Sequence, residues 1–145
     1  MQTFMPHPDF AASAMTLDRQ RLGKQRVEGM QVLNALAPDY PHRGWRNHPA
    51  VLMWRGHEGA LARYVLAVCR EWTSRGYKDT IAPRMEALIA AHPEWNHDLP
   101  PWMGDEEFHR SHQANLVRKD PAWYGPQFPE ADPNAPYKWP TAIAA

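Results

Sequence analysis

Little in this chain invites a membrane, a disulfide framework or a sheet. No apolar run approaches the roughly 18 residues that a bilayer span needs. The opening Met-Gln-Thr-Phe-Met-Pro-His-Pro has no basic region followed by an apolar stretch, so no signal peptide is expected. The single cysteine, Cys69, excludes an internal disulfide and fits a reducing compartment, which makes a cytoplasmic protein the expectation. No run alternates β-branched and polar residues, so little sheet is expected. Net charge is also missing: 16 basic residues balance 16 acidic ones. Strong nonspecific DNA binding rests on phosphate neutralisation, and this balance gives it no support.

What is present reads as helix punctuated by proline. The 145 residues suit one domain, 1–145, with a core of its own. Residues 1–10, with Pro6 and Pro8, read as an extended arm. Residues 11–37 are rich in helix formers and stop at Pro38. Asn47-His48-Pro49 reads as a helix start with Asn47 as N-cap, leading into an apolar segment that runs to Arg75 and closes at Gly76. Gly56 and Gly59 within it suggest close packing or a bend. Residues 81–91 read as a shorter amphipathic helix, 92–104 as a loop rich in tryptophan and proline, and 105–119 as a helix opened by acidic residues. The rest is a proline-punctuated aromatic stretch, with a tail over 125–145 wrapped on the domain. The expected fold class is all-α.

Three features carry chemistry. In the first helix Met15, Leu22, Met30 and Leu33 fall on one side at helical spacing, and Arg19 and Arg26 fall there too, with Gln25 at the edge. Arginine is rarely buried unpaired. These residues either pair with internal carboxylates or border a concave site for an anionic or planar ligand. Eight histidines raise the question of a metal. Glu106, His109 and His112 share a helical face, but a bundle metal site needs a second Glu-x-x-His motif on a facing helix and further glutamates, and no expected helix supplies them; no metal and no cofactor are expected. His48, His57 and His112 are pocket candidates able to supply hydrogen bonding or acid–base chemistry. Of the seven tryptophans, Trp45, Trp54, Trp72 and Trp95 are expected in the core. Trp102, Trp123 and Trp139 lie in proline-rich loops, where they either stack on bases or pin the tail, and pinning is favoured for Trp139.

The ordered set of Trp45-Arg-Asn-His-Pro49, Arg75-Gly-Tyr-Lys-Asp-Thr80 and Lys119-Asp-Pro-Ala-Trp-Tyr124 resembles the pyrimidine-dimer DNA glycosylases of the phage endonuclease V type. Bacterial relatives resemble it further in His7-Pro8, Asn47-His48-Pro49 and the last helix with His112. The resemblance spans about residues 1–128 and rests on the order of motifs, none of which is specific alone. It implies a compact all-α fold with the N-terminal arm threaded between helices. It also implies glycosidic cleavage and strand scission, in which an N-terminal amine attacks C1′ of the deoxyribose and forms a Schiff base while a helix glutamate assists. The partner implied is double-stranded DNA, with no membrane involved.

Carried over residue by residue, the resemblance assigns the amine to Met1, since bulky Gln2 keeps the initiator methionine in place. The family's helix Arg-Glu pair falls on Lys24-Gln25. An amide cannot serve as a carboxylate, so Glu28, three residues on, is the substitute candidate, and Lys24 is a second candidate for the Schiff base. DNA contact is expected from Gln2, Arg19, Arg21, Arg26, Arg46, His48, Trp123 and Tyr124. Three readings stay open: a glycosylase/AP lyase for damaged or modified bases, a non-cleaving DNA-binding module on the same fold, and a histidine-rich metal-dependent or small-molecule enzyme.

Overall fold

Backbone polar groups must find partners wherever the chain is buried, and every described element in the computed structural model is helix, turn or side-chain-bonded arm. The structure describes residues 2–38 and 43–140. Helices α1 (Phe10–Thr16) and α2 (Arg19–Leu36) come first, followed by a 3-10 turn (Arg43–Asn47) and the short α3 (Pro49–Leu52). Then come α4 (Glu58–Ser74), α5 (Ile81–Ala91), α6 (Glu106–Lys119) and the single turn α7 (Pro121–Tyr124). The fold is all-α, with no strand among the described residues. None of the described helices is long and apolar enough to cross a membrane.

α4 is the central element and packs against α1, α2 and α5. Its Leu61, Tyr64, Val65 and Val68 are fully buried. α2 comes so close to it that a Cβ on Gly29 would sit 2.6 Å from Val65 Cγ2, which explains a glycine in a helix interior. One hydrophobic cluster joins the arm (Phe4, Met5), all the longer helices and the tail (Phe128). Side-chain caps match the acidic residues that the sequence places at helix starts. Asp9 accepts from the Ala12 amide, Asp105 from Glu107 and Asp120 from Trp123.

The helices expected at 81–91 and 105–119 are found, but two longer spans are broken. The 11–37 span divides at Leu17-Asp18, where both residues are extended. The Tyr124 hydroxyl receives the Asp18 N–H at 2.9 Å and also bonds its carboxylate, replacing the bond a continuous helix would have made. Met15 therefore leaves the apolar face and is 66% exposed. The expected span from Asn47 to Arg75 divides between α3 and α4, at a turn where Gly56 has φ +82°. His48, rather than Asn47, is the N-cap, its Nδ1 accepting from the Ala50 amide at 3.0 Å. His48 and His57 thus do not share a helix.

Tryptophan placement also differs in part. Trp54 is fully buried, and Trp102 joins it in the core, edge-on with ring centroids 5.0 Å apart. Trp72 and Trp95 pack on the core partly buried, whereas Trp45 is exposed. Trp139 stacks on Tyr137 (5.5 Å) and meets His48 edge-on, so it pins the tail. Of the expected tail, residues 141–145 lie outside the described residues.

Candidate functional site

An extended segment buried without strand partners must be hydrogen-bonded by side chains. Residues 3–6 are all buried, and the arm's main chain is gripped from three helices. From α2, Gln25 Oε1 accepts the Phe4 N–H (2.9 Å) while its Nε2 donates to the Gln2 carbonyl (2.8 Å). From α4, the Tyr64 hydroxyl lies 2.6 Å from Gln25 Oε1 and 2.8 Å from the Phe4 carbonyl. From α6, His112 Nδ1 accepts the Met5 N–H (2.9 Å), His109 bonds the Met5 carbonyl (2.8 Å), and Gln113 donates to the Pro6 carbonyl (2.8 Å). Trp54 donates to the Thr3 hydroxyl at 3.0 Å.

The chemistry of these groups is neutral, as burial requires. Gly104 N–H donates to His109 Nε2, so the His109 proton sits on Nδ1 and points at the Met5 carbonyl. His112 must carry its proton on Nε2, which has no hydrogen-bond partner among the described residues; the His112 ring meets the Tyr137 ring edge-on, with centroids 5.0 Å apart. Burial lowers the affinity of His112 for a further proton to a pKa of about 3, and it lowers His109 and His48 as well. Burial raises the Tyr64 and Tyr137 hydroxyls, so neither ionises near neutrality.

Glu28 is the carboxylate at this junction. Its Oε2 receives the second Gln25 amide hydrogen at 3.2 Å. It also lines an open cleft of about 930 Å³ on the outer side of α2, together with Arg19, Lys24, Val27, Trp72 and Trp123. Glu28 is therefore shared between the buried arm and an accessible, partly aromatic cleft with two cationic side chains. Asp18 at the cleft edge pairs with Arg21 at 3.1 Å. Burial pushes the Asp18 carboxyl up, but Tyr124 and Arg21 outweigh it and hold it below the usual range.

The candidate residues separate into two groups. Gln2, Gln25, Glu28 and His112 converge on the arm, while Lys24 and Arg19 face the outer cleft, Arg19 with its guanidinium 5.0 Å from the Tyr77 ring centre. Met1 lies outside the described residues. The expected strip of buried arginine resolves into one residue, since Arg19 is exposed. Arg26 pairs with Asp79 at 2.5 Å and lies 4.5 Å over Trp72, the internal pairing that was one of the two alternatives. Asp79 also accepts from the Ile81 and Ala82 amides, so this pair anchors the start of α5.

Several other residues serve the fold. Tyr124 is buried on Asp18, which withdraws it from any surface, whereas Trp123 is 46% exposed. Arg46 donates to the Ala37 carbonyl. His57 bonds the Asp98 carbonyl (2.9 Å), away from the arm, so His48, His57 and His112 do not line one cavity. Glu106 pairs with Arg110 on the surface while His109 and His112 serve the arm, and no metal-binding group of acids, histidines or cysteine forms among the described residues. Cys69 is buried, its thiol pushed up to about 12, first by burial and then by Asp79, so it is no nucleophile.

Sequence reasoning missed Tyr64, Thr3, Asn115 and Tyr137. Asn115 donates to the Tyr137 hydroxyl at 2.5 Å, which brings the tail onto α6 beside the arm. A buried tyrosine in an apolar helix reads as core, and nothing local to Tyr64 announces its carbonyl partner 60 residues away.

A family model described as pyrimidine dimer DNA glycosylase matches residues 1–85, more than half of the chain. No curated protein and no solved structure shows a significant match.

Proposed function

Since the chain belongs to the pyrimidine dimer DNA glycosylase family, a family of DNA-repair enzymes, we propose that it is a glycosylase/AP lyase acting on damaged or modified bases in double-stranded DNA, with the amine of Met1 as nucleophile. One observation carries this reading. The arm is buried and hydrogen-bonded by side chains of α2, α4 and α6, so residue 2 is held beside Glu28 at the edge of an accessible cleft.

The reaction follows from that arrangement. A neutral α-amine, whose ordinary pKa is about 7.7–8.0, attacks C1′ of the deoxyribose. The glycosidic bond breaks, its electron pair leaves with the base, and the base is protonated. The amine loses a proton and the sugar ring opens, giving an iminium between the chain start and C1′. Loss of a proton from C2′ then expels the 3′ phosphate, and water releases the sugar. Glu28, in place of a carboxylate at position 25, faces the positive charge that develops on the sugar. Arg19 and Lys24 contact phosphates along the cleft, and Trp123 stacks where the duplex opens. A single 1–145 domain in the cytoplasm fits this reading.

Borohydride trapping on an abasic duplex tests it. The wild-type protein forms a covalent adduct, and Glu28→Gln lowers its rate by about 100-fold, the lower range for a positioned acid–base group. An undiminished rate in Glu28→Gln removes Glu28 from the mechanism. The second reading, a DNA-binding module that does not cut, is favoured by one feature: the helix position nearest the arm carries an amide, Gln25. Binding to damaged duplex without any adduct selects it.

A further inference from the structure

The family resemblance makes Gln25 look like a lost carboxylate, but its surroundings ask for an amide. Two main-chain groups fix its orientation: the Phe4 N–H must face an oxygen, and the Gln2 carbonyl must face an N–H. The remaining lone pair faces the Tyr64 hydroxyl, whose single proton is shared with the Phe4 carbonyl, and the remaining hydrogen goes to Glu28. All four hydrogen-bonding positions of the amide are therefore used, in a side chain only 1% exposed. A carboxylate there would set one oxygen against the Gln2 carbonyl and a charge against Glu28, with no donor for either among the described residues.

We propose that Gln25 is a positioning residue, whose amide aims the start of the chain and the Glu28 carboxylate at one another. The proposal rests on the glycosylase/lyase reading for its catalytic consequence, though not for its geometry. It divides between two residues what one glutamate would do: the buried amide holds, and the carboxylate one turn along faces the sugar. Restoring the family's glutamate with Gln25→Glu should then impair the protein. Among the described residues, the groups that would feel the new charge are Glu28 on α2, Tyr64 on α4, His112 and Arg118 on α6 and Tyr137 on the tail. Burial already holds the tyrosines and His112 neutral, so at high pH the two carboxylates oppose each other. On acidification one of them takes a proton and regains a donor.

The experiment compares wild type, Gln25→Glu and Tyr64→Phe by borohydride trapping on an abasic duplex at pH 8 and pH 5.5. Phe4 amide exchange and thermal melts are recorded at both pH values. For Gln25→Glu the expected result is a kcat at least about tenfold below wild type at pH 8, with KM unchanged, and a smaller ratio at pH 5.5. Phe4 amide protection follows the same course, lost at pH 8 and regained at pH 5.5. A Gln25→Glu protein that unfolds only at pH 8 supports the proposal equally. Should it unfold at both, Tyr64→Phe decides, with an expected fall in kcat and in Phe4 protection at unchanged KM. Wild-type rate and protection at pH 8 in Gln25→Glu, or in Tyr64→Phe where that variant decides, overturn the proposal. If wild type itself forms no adduct, the lyase reading fails, while Phe4 exchange and the pH-dependent melts still decide whether Gln25 positions the arm.

Discussion

The two faces of α2 solve opposite problems with neighbouring residues. The inner face buries Leu22, Gln25, Gly29, Val32 and Leu33, and its one polar side chain is neutral and fully partnered. The outer face keeps Arg19 and Lys24 in solvent beside Trp72 and Trp123. Burial penalises charge, so the groups that hold the arm from α2, α4 and α6 are amides, a hydroxyl and neutral imidazoles. The face open to a polyanion can keep its cations at no such cost. Glu28 stands between them, bonded to Gln25 on one side and lining the open cleft on the other, so position on the helix, and not residue type alone, decides which side chains are exposed.

The comparison breaks most visibly on the buried side. Trp54→Ala removes a fully buried ring and the donor to Thr3, and should cost about 3–5 kcal/mol in denaturant melts. A loss below about 1 kcal/mol would mean that the arm is not part of the core. Gly29→Ala comes next. Helix propensity favours alanine by about 1 kcal/mol, but overpacking against Val65 costs about 1–3 kcal/mol, so the melting temperature should fall. A rise would show that α2 and α4 are not in such close contact.

Acid sharpens the same contrast. His112 has a folded pKa of about 3 against an ordinary 6.5, so between those values the unfolded chain binds more protons. Its contribution to stability is complete above pH 6.5 and is lost as pH falls toward 3. Melts across that window should show the decline, and His112→Gln, itself less stable at pH 7, should show a shallower one; equal slopes would remove His112 as the cause. The outer face gives the smallest stability effect. Lys24→Ala should leave stability within about 0.5 kcal/mol of wild type, yet lower the salt dependence of DNA binding by about one phosphate contact. An unchanged salt slope would take Lys24 off the DNA path.

Much of the fold was legible because proline and the capping acids mark helix ends locally, as at Asp105 and over 81–91. The break at Leu17-Asp18 was not, because no glycine or proline lies there and the interruption comes from Tyr124, 106 residues away. The place of Gln25 at the edge of the buried face was legible, but its hydrogen bonds to the arm were not. Helical periodicity shows which side a residue faces, and an extended arm with unpaired amides and carbonyls leaves no periodic mark. The i, i+3 histidines 109 and 112 suggested metal for the same reason: their partner, the Met5 peptide, is distant in sequence.

Peptide mapping of the borohydride-reduced adduct identifies the nucleophile. With the amine of the first residue as nucleophile, the sugar remnant is expected on the tryptic peptide that begins at Met1 and ends at Arg19. A remnant on Lys24, or on any lysine instead of the first residue, would contradict it.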